Sequence, residues 1–171
     1  MAVPQRIVWA IELLSVSGSE RLLEIGCGNG VAASLVCAGL TSGRLTAIDR
    51  SAKAIAAARQ RNAGHAAAGR AVFVESSLET FHAGVGAFDK VFAINVNVFW
   101  VDPDRALTAV ARMLAPDGRL FLFYEPPSVG QRTKAARLCA NGLERHGLAV
   151  DELVEQDLAG VPLLAIIARR G

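Results

Sequence analysis

Short apolar segments alternate along the chain with longer segments whose apolar residues recur at helical spacing. The short runs indicate buried strands, and the amphipathic segments indicate helices that pack on a sheet. The predicted strands are residues 21–25, 44–48, 71–74, 90–94, 119–124, 149–154 and 163–168. The predicted helices are residues 4–16, 31–38, 52–63, 103–114 and 130–146.

The order of these elements indicates a fold class. Strands alternate with helices over most of the chain, which is typical of right-handed crossover units around a parallel sheet. Ser51 is a predicted helix N-cap, and Gly64 is the predicted end of the same helix. The last two strands are too close together for a crossover helix, so we expect an antiparallel hairpin. The sequence therefore predicts an α/β fold of three αβα layers, Rossmann-like, with a mostly parallel seven-stranded sheet and a C-terminal antiparallel hairpin strand.

Composition narrows the class of protein. A length of 171 residues suits a single domain, which we take as residues 1–171. A composition of 52% hydrophobic and 20% charged residues is typical of a globular chain. A formal net charge of +2 gives no reason to expect a nucleic-acid partner. The three cysteines lack metal-ligand spacing, so we expect no metal and a reducing, cytoplasmic location. No apolar run approaches the roughly 20 residues of a membrane span, so no membrane partner is expected.

Candidate chemistry begins at a glycine-rich turn. Gly26, Gly28 and Gly30 follow the first predicted strand, where glycine lets a ligand approach the backbone, although any sharp turn before a helix also favours glycine. Asp49 ends the next strand, where an acid can accept hydrogen bonds from both ribose hydroxyls; the alternative is an ordinary acid near a helix start. Together these features favour a nucleoside-containing ligand.

Two residues count against a dinucleotide. Val31 stands where the dinucleotide fingerprint needs its third glycine. Glu24 lies two residues before the first glycine, where its carboxylate would repel a pyrophosphate but suits a cationic ligand. Residues 22–30, Leu-Leu-Glu-Ile-Gly-Cys-Gly-Asn-Gly, resemble motif I of the class I S-adenosylmethionine-dependent methyltransferases. Segment 88–91, the Pro-Asp-Gly turn within 114–120 and the closing hairpin resemble the same family, and the resemblance covers about residues 20–169.

The resemblance implies S-adenosyl-L-methionine as the cofactor. It implies that the glycine loop backs the methionine part, that Glu24 holds the amino end and that Asp49 holds the ribose. The family often has an Asp where this chain has Ser77, whose hydroxyl can still bond the adenine amino group. The implied cofactor-binding residues are Glu24, Gly26, Cys27, Gly28, Asn29, Gly30, Asp49, Arg50, Ser76, Ser77, Leu78 and Asn95.

Methyl transfer requires alignment of acceptor, methyl and sulfur more than covalent help. The ends of the fourth and fifth strands face the ligand crevice in such sheets, which makes Asn95, Tyr124 and Glu125 the candidate catalytic residues. Glu125 is the candidate base, and a solvated loop acid is its alternative interpretation. Period two predicts Asn95 and Asn97 on one face, where they either meet a ligand or satisfy loop backbone. Trp100 is expected in core packing, with stacking on an acceptor as the alternative.

The leading hypothesis is therefore a methyltransferase that acts on a small-molecule acceptor, because the chain carries no evident recognition domain for a macromolecule. The alternatives are a non-catalytic S-adenosylmethionine-binding regulatory or scaffold subunit and, less favoured, an NAD-dependent oxidoreductase. The N-terminal helix within residues 1–18, or a second copy in a homodimer, is expected to cover the cofactor cleft against water. The acceptor molecule and its accepting atom stay open.

Overall fold

The structure is a computed structural model that describes residues 3–171. The chain divides into two compact units, one that ends at His82 and one that begins at Ala83. The first unit contains helices α1 (Gln5–Leu14), α2 (Val31–Gly39), α3 (Ala52–Arg61) and α4 (Ala63–Ala67), with strands β1 (Arg21–Ile25), β2 (Arg44–Asp49) and β3 (Ala71–Glu75). The second unit contains helices α5 (Val98–Val101), α6 (Pro103–Met113) and α7 (Val129–Arg145), with strands β4 (Phe88–Ile94), β5 (Leu114–Tyr124), β6 (Leu148–Leu158) and β7 (Val161–Arg170).

The strands of the first unit are parallel and end at one level. Ile25 is in register with Ile48, and Asp49 is in register with Glu75. All residues of β1 after Arg21 are buried, as expected for a strand covered on both faces. The segments that follow β1, β2 and β3 therefore leave the sheet at the same edge, which positions the candidate cofactor residues.

The second unit carries the reversed end of the sheet. β4 and β5 are parallel, whereas β7 is antiparallel to both β5 and β6. Ala159 and Gly160 join β6 to β7 with φ values of 51° and 83°. Two positive φ values match the right-handed twist of a two-residue hairpin. The hairpin predicted from the short spacing is thus confirmed, with a tighter turn and longer strands than expected.

The sheet has seven strands in the order β3-β2-β1-β4-β5-β7-β6. This order, with helices between the parallel strands, confirms the predicted Rossmann-like α/β class. Among residues 3–171, no helix is long and apolar enough to cross a bilayer.

Several predicted boundaries were wrong, each for a local reason. The first helix ends at Leu14 rather than at residue 16, because Ser15 adopts φ 46° and its N–H caps the helix. Gly64 does not end the alanine-rich helix: α3 stops at Arg61, and Gly64 lies inside α4. The short helix α5 was not predicted, because its sequence, Val-Phe-Trp-Val, is apolar throughout and has no helical periodicity.

Candidate cofactor site

The glycine loop after β1 is tied to the neighbouring strand by backbone hydrogen bonds. The N–H groups of Gly26 and Cys27 both donate to the carbonyl oxygen of Ile48, at 2.8 and 3.0 Å. The N–H of Gly30 donates back to the carbonyl oxygen of Cys27 at 3.0 Å. The loop is therefore a closed turn of defined shape.

Asp49 connects this loop to the start of α3. One carboxylate oxygen, Oδ2, accepts from the N–H of Gly28 at 2.9 Å, and Oδ1 accepts from the N–H of Ser51 at 2.9 Å. Gly28 has φ 53°, and no atom lies within 4 Å of the position a Cβ would take. Each carboxylate oxygen retains a further lone pair. Asp49 is thus held rigidly beside open space and can accept hydroxyl groups of a ligand.

Glu24 is the most unusual charged residue of the first unit. Its side chain is 3% exposed, and its Oε2 is buried without a hydrogen-bond partner. Burial, followed by the nearby charge of Asp49, raises the pKa of Glu24 from 4.5 to about 8. An unpaired buried acid is costly unless a cation or donor reaches it. This geometry suits the ammonium group of a cationic ligand.

The segment after β3 is a compact cluster of hydroxyl groups. The N–H of Ser76 donates to the carbonyl oxygen of Asp49 at 3.0 Å, which joins this segment to the end of β2. The side-chain oxygen of Thr80 lies 3.0 Å from that of Ser76 and 3.1 Å from that of Ser77. Leu78 is buried. The structure thus brings the predicted adenine-side residues to the same sheet edge as Asp49, and Thr80 joins them without having been predicted.

The other predicted cofactor residues take varied positions. Cys27 is buried, and burial raises the pKa of its thiol to about 12, so it is not a thiolate nucleophile. Asn29 is exposed, and its carbonyl oxygen accepts from Nε of Arg61 at 3.0 Å. Arg50 is exposed beside Asp49. None of these placements tests their assignment to cofactor binding, which stays a prediction.

Asn62 was missed by the sequence prediction. It is 1% exposed, and its Nδ2 donates to the carbonyl oxygen of Gly30 at 3.0 Å. A Cβ on Gly30 would stand 2.6 Å from this same Nδ2, and Gly30 has φ 76°. Glycine is therefore required at position 30 by both close packing and backbone conformation. Nothing local in the sequence distinguishes Asn62 from an ordinary polar residue at a helix end.

In the second unit, Asn95 joins the ends of β4 and β5. Its N–H donates to the carbonyl oxygen of Phe123 at 2.8 Å, and its Oδ1 accepts from the N–H of Glu125 at 2.7 Å. Asn95 has φ 56°, so β4 ends before it, and Asn97 begins the turn into α5. The prediction that Asn95 and Asn97 share a strand face is wrong for this reason. The geometry matches the interpretation in which Asn95 satisfies loop backbone, and it sets the direction of Glu125.

Tyr124 and Trp100 pack together in the second unit. Their rings are stacked with centroids 5.2 Å apart, and the Tyr124 hydroxyl donates to the carbonyl oxygen of Val96 at 3.2 Å. Tyr124 is 4% exposed, and burial raises its pKa well above the usual value. Trp100 is half-buried rather than part of the core, and its Nε1 is buried without a partner. This geometry favours Tyr124 as a neutral hydroxyl, and its predicted catalytic role is not tested by it.

The fold and the loop define a Rossmann-like protein whose first unit has an acidic, glycine-lined site after parallel strands. The family model described as a methyltransferase domain matches residues 23–122, which is more than half of the chain. This chain belongs to that family, and the resemblance inferred from motif I is confirmed.

Similar proteins extend this result. The chain is 38% identical to an uncharacterized protein of Synechococcus over 62% of its residues and 25% of that protein. It is 30% identical to the ubiquinone biosynthesis O-methyltransferase of Dechloromonas aromatica over 70% of its residues and 50% of that enzyme. The chain thus spans between a quarter and a half of these relatives. The geranyl diphosphate C-methyltransferase of Streptomyces coelicolor superposes with a TM-score of 0.78 over 98% of this chain and 80% of that one, and at 13% identity this likeness concerns the fold alone.

Proposed function

We propose that this chain is a methyltransferase that binds S-adenosyl-L-methionine through its first unit and methylates a small-molecule acceptor. One observation carries the proposal: the buried, unpaired Oε2 of Glu24 lies in motif I, directly before the glycine loop. A ligand with an ammonium group and a sulfonium ion matches this site, because an ammonium group favours the ionised form of Glu24, whereas a pyrophosphate would be repelled by the carboxylate of Asp49. When bound, the cofactor supplies an electrophilic methyl group on its sulfonium sulfur.

The residues of the first unit divide the binding task by chemistry. Glu24 holds the ammonium group, and Asp49, fixed by two backbone N–H groups, accepts hydrogen bonds from ribose hydroxyls. The open position at Gly28 lets the ligand approach the backbone. Ser77 and the backbone N–H of Leu78 hold the adenine ring. Two of these groups are acids, which compensates the positive charge of the ligand.

The acceptor side is assigned to the second unit. Glu125 is exposed, its N–H is held by Asn95, and a carboxylate is a suitable base for an acceptor whose proton must leave. The hydroxyl of Tyr124 donates to the carbonyl oxygen of Val96. We therefore assign Tyr124 the role of orienting the acceptor, not that of removing its proton. The relative named for ubiquinone biosynthesis supports a small-molecule acceptor. The formal net charge of +2 gives no reason to propose a nucleic-acid partner.

The proposal is tested by calorimetric titration of the purified chain with S-adenosylhomocysteine, with NADH in parallel. We expect binding of S-adenosylhomocysteine alone. Asp49→Ala should weaken that binding at least tenfold, since hydrogen bonds to a charged group contribute about 1.5–3 kcal/mol. The matched control is Glu12→Ala, which removes an exposed acid from α1. Preferential NADH binding, or equal affinity in the Asp49 variant and wild type, would refute the assignment.

Turnover needs a separate measurement. Purified protein with S-adenosylmethionine labelled in its methyl group, incubated with a panel of phenols, carboxylic acids, amines and thiols, should label at least one acceptor class. Glu125→Gln should reduce the rate while cofactor affinity is unchanged. Cofactor binding without labelling of any acceptor would favour a non-catalytic binding subunit instead.

Other predictions from the sequence stay proposals. These are that residues 1–171 act as one domain, that α1 or a second copy of the chain covers the bound cofactor, and that the protein is cytoplasmic. Sedimentation with and without S-adenosylhomocysteine tests the homodimer.

A further inference from the structure

Asn62 is a buried polar residue whose side-chain amide is fully engaged. Its Nδ2 donates to the carbonyl oxygens of Gly30 and Ala58, each at 3.0 Å. Its Oδ1 accepts from the hydroxyl of Ser34 at 2.7 Å. A buried amide satisfied on both sides joins the segments that it touches. Asn62 therefore links α2, α3 and the glycine loop at one point.

The loop lies directly against α3 at this point. A Cβ on Gly30 would approach the Cβ of Ala58 to 2.9 Å and its Cα to 3.0 Å, so no space separates the loop from the helix. The neighbouring carbonyl of Asn29 accepts from Nε of Arg61, also on α3. Two consecutive carbonyls of the glycine loop thus accept from two consecutive residues at the end of α3, and the Gly30 carbonyl also accepts from the N–H and the hydroxyl of Ser34 in α2, at 3.1 and 3.0 Å.

Holding a carbonyl also aims the N–H of the same peptide. The peptide unit is planar and trans, so its N–H points opposite to its C=O. The carbonyl of Asn29 shares a peptide with the N–H of Gly30, and the carbonyl of Gly30 shares one with the N–H of Val31, the first residue of α2. Because both carbonyls accept hydrogen bonds from α3, the orientation of these two peptide planes is restrained. The conformation of the rest of the glycine loop is restrained as a consequence.

We propose that Asn62, together with Arg61, is a positioning residue that holds the glycine loop in its ligand-binding shape before the ligand arrives. This inference rests on the proposed function, because it requires the loop to bind the cofactor. Pre-organisation of this kind raises affinity, since a loop that is already ordered loses less freedom on binding. A residue with a merely structural role would change the free energy of unfolding and leave the affinity of the folded protein unchanged.

Two pairs of variants separate these roles. Asn62→Asp keeps an acceptor for Ser34 but cannot donate to Gly30, and Asn62→Ala removes both functions. Arg61→Met removes the bond to Asn29, and Arg61 is exposed, so the variant should fold even if the Asn62 variants do not. The matched control is Arg59→Met, which removes the same charge from the same helix but breaks a bond to the carbonyl of Phe73 in β3.

The measurements are the Kd for S-adenosylhomocysteine by calorimetry and the urea midpoint of each variant, with Asp49→Ala as the reference. We expect binding to weaken about tenfold in Asn62→Asp and about threefold in Arg61→Met, as hydrogen bonds of this kind predict. Arg61→Lys, which keeps a donor, should restore most of the affinity, and Arg59→Met should bind as wild type does.

The outcomes distinguish the inference from the function on which it rests. Wild-type affinity in Arg61→Met and in every folded Asn62 variant, beside weak binding in Asp49→Ala, overturns the positioning role and leaves the proposed site intact. Wild-type affinity in all of them, Asp49→Ala included, overturns both. Equal weakening in Arg59→Met and Arg61→Met would assign the effect to charge on α3 and also overturn the positioning role.

Discussion

Cofactor binding should be linked to the release of a proton from Glu24. In the free protein this carboxyl is 3% exposed, and burial beside Asp49 raises its pKa from 4.5 to about 8. It is therefore mostly protonated at neutral pH. An ammonium group binds the carboxylate rather than the neutral acid, so a bound ligand lowers the pKa and the proton leaves.

The pKa sets the size and the pH range of the effect. Below about pH 8, each unit of pH costs up to tenfold in affinity, because ionising Glu24 becomes less favourable by about 1.4 kcal/mol per unit. Affinity for S-adenosylhomocysteine should thus fall from pH 8 toward pH 6. The free protein behaves oppositely: its folded state binds more protons than its unfolded state between 4.5 and about 8, so its stability declines as pH rises through that range.

Calorimetry in buffers of different ionisation enthalpy, repeated between pH 6 and 8, measures the number of protons released on binding and the pH dependence of the affinity. At pH 7 the observed enthalpy should vary with the buffer enthalpy, with a slope that corresponds to release of close to one proton. Glu24→Gln should bind more weakly at pH 8, release no proton and lose the pH dependence of affinity between pH 6 and 8. Glu12→Gln, an exposed acid of α1, is the control and should behave as wild type. A slope of zero in wild type, or an unchanged slope in Glu24→Gln, would refute the reasoning.

Two further predictions concern the backbone. Gly30→Ala should lower the free energy of unfolding by at least about 1–3 kcal/mol in urea titrations, because of its φ of 76° and the 2.6 Å approach of a Cβ to a side-chain nitrogen. Gly64→Ala, inside α4 with open space around its Cβ position, should instead stabilise by roughly 0.5–1 kcal/mol, and equal effects would contradict this account. Asn95→Ala should cost about 1–3 kcal/mol through its φ of 56° and its lost hydrogen bond. Asn95→Asp, which keeps an acceptor and tolerates this conformation, should cost less than half as much, and equal thermal shifts would be evidence against the bond.

Elements with strong local signals were predictable from sequence. β1 coincides with an apolar run that ends before a glycine, and its predicted bounds match Arg21–Ile25. Ser51 caps α3 as predicted, with its Oγ accepting from the N–H of Ala54 at 3.2 Å. The pair Asp102-Pro103 is also typical of a helix start, with an N-cap followed by a first-turn proline, and α6 does begin at Pro103, but Asp102 makes no side-chain cap hydrogen bond. The local sequence thus predicted where these elements begin, but only one of the two side-chain cap hydrogen bonds forms.

The candidate site was predictable where a residue conflicts with its surroundings. Glu24 was predicted as a cofactor residue from its place two residues before the first glycine, and the structure adds that it is buried in β1, although its role in binding stays a prediction. Asp49 was recognisable by its place at the end of the second strand. In contrast, Asn97 was misplaced because a strand period was extended through a residue with φ 56°, and positive φ at Asn95 has no reliable signal in an apolar run.

Asn62 shows why part of the candidate site could not be predicted from the sequence. It follows two arginines and a glutamine at the end of a helix, where an asparagine is ordinary and usually exposed. Its burial depends on contact with Gly30, 32 positions earlier in the chain, and thus on the packing of α3 against a loop. Of this contact, the sequence shows only the glycine at position 30, which lacks the side chain that would separate the loop from α3. A glycine loop should therefore be read together with the helix that it must touch, since the residues that shape the loop lie there.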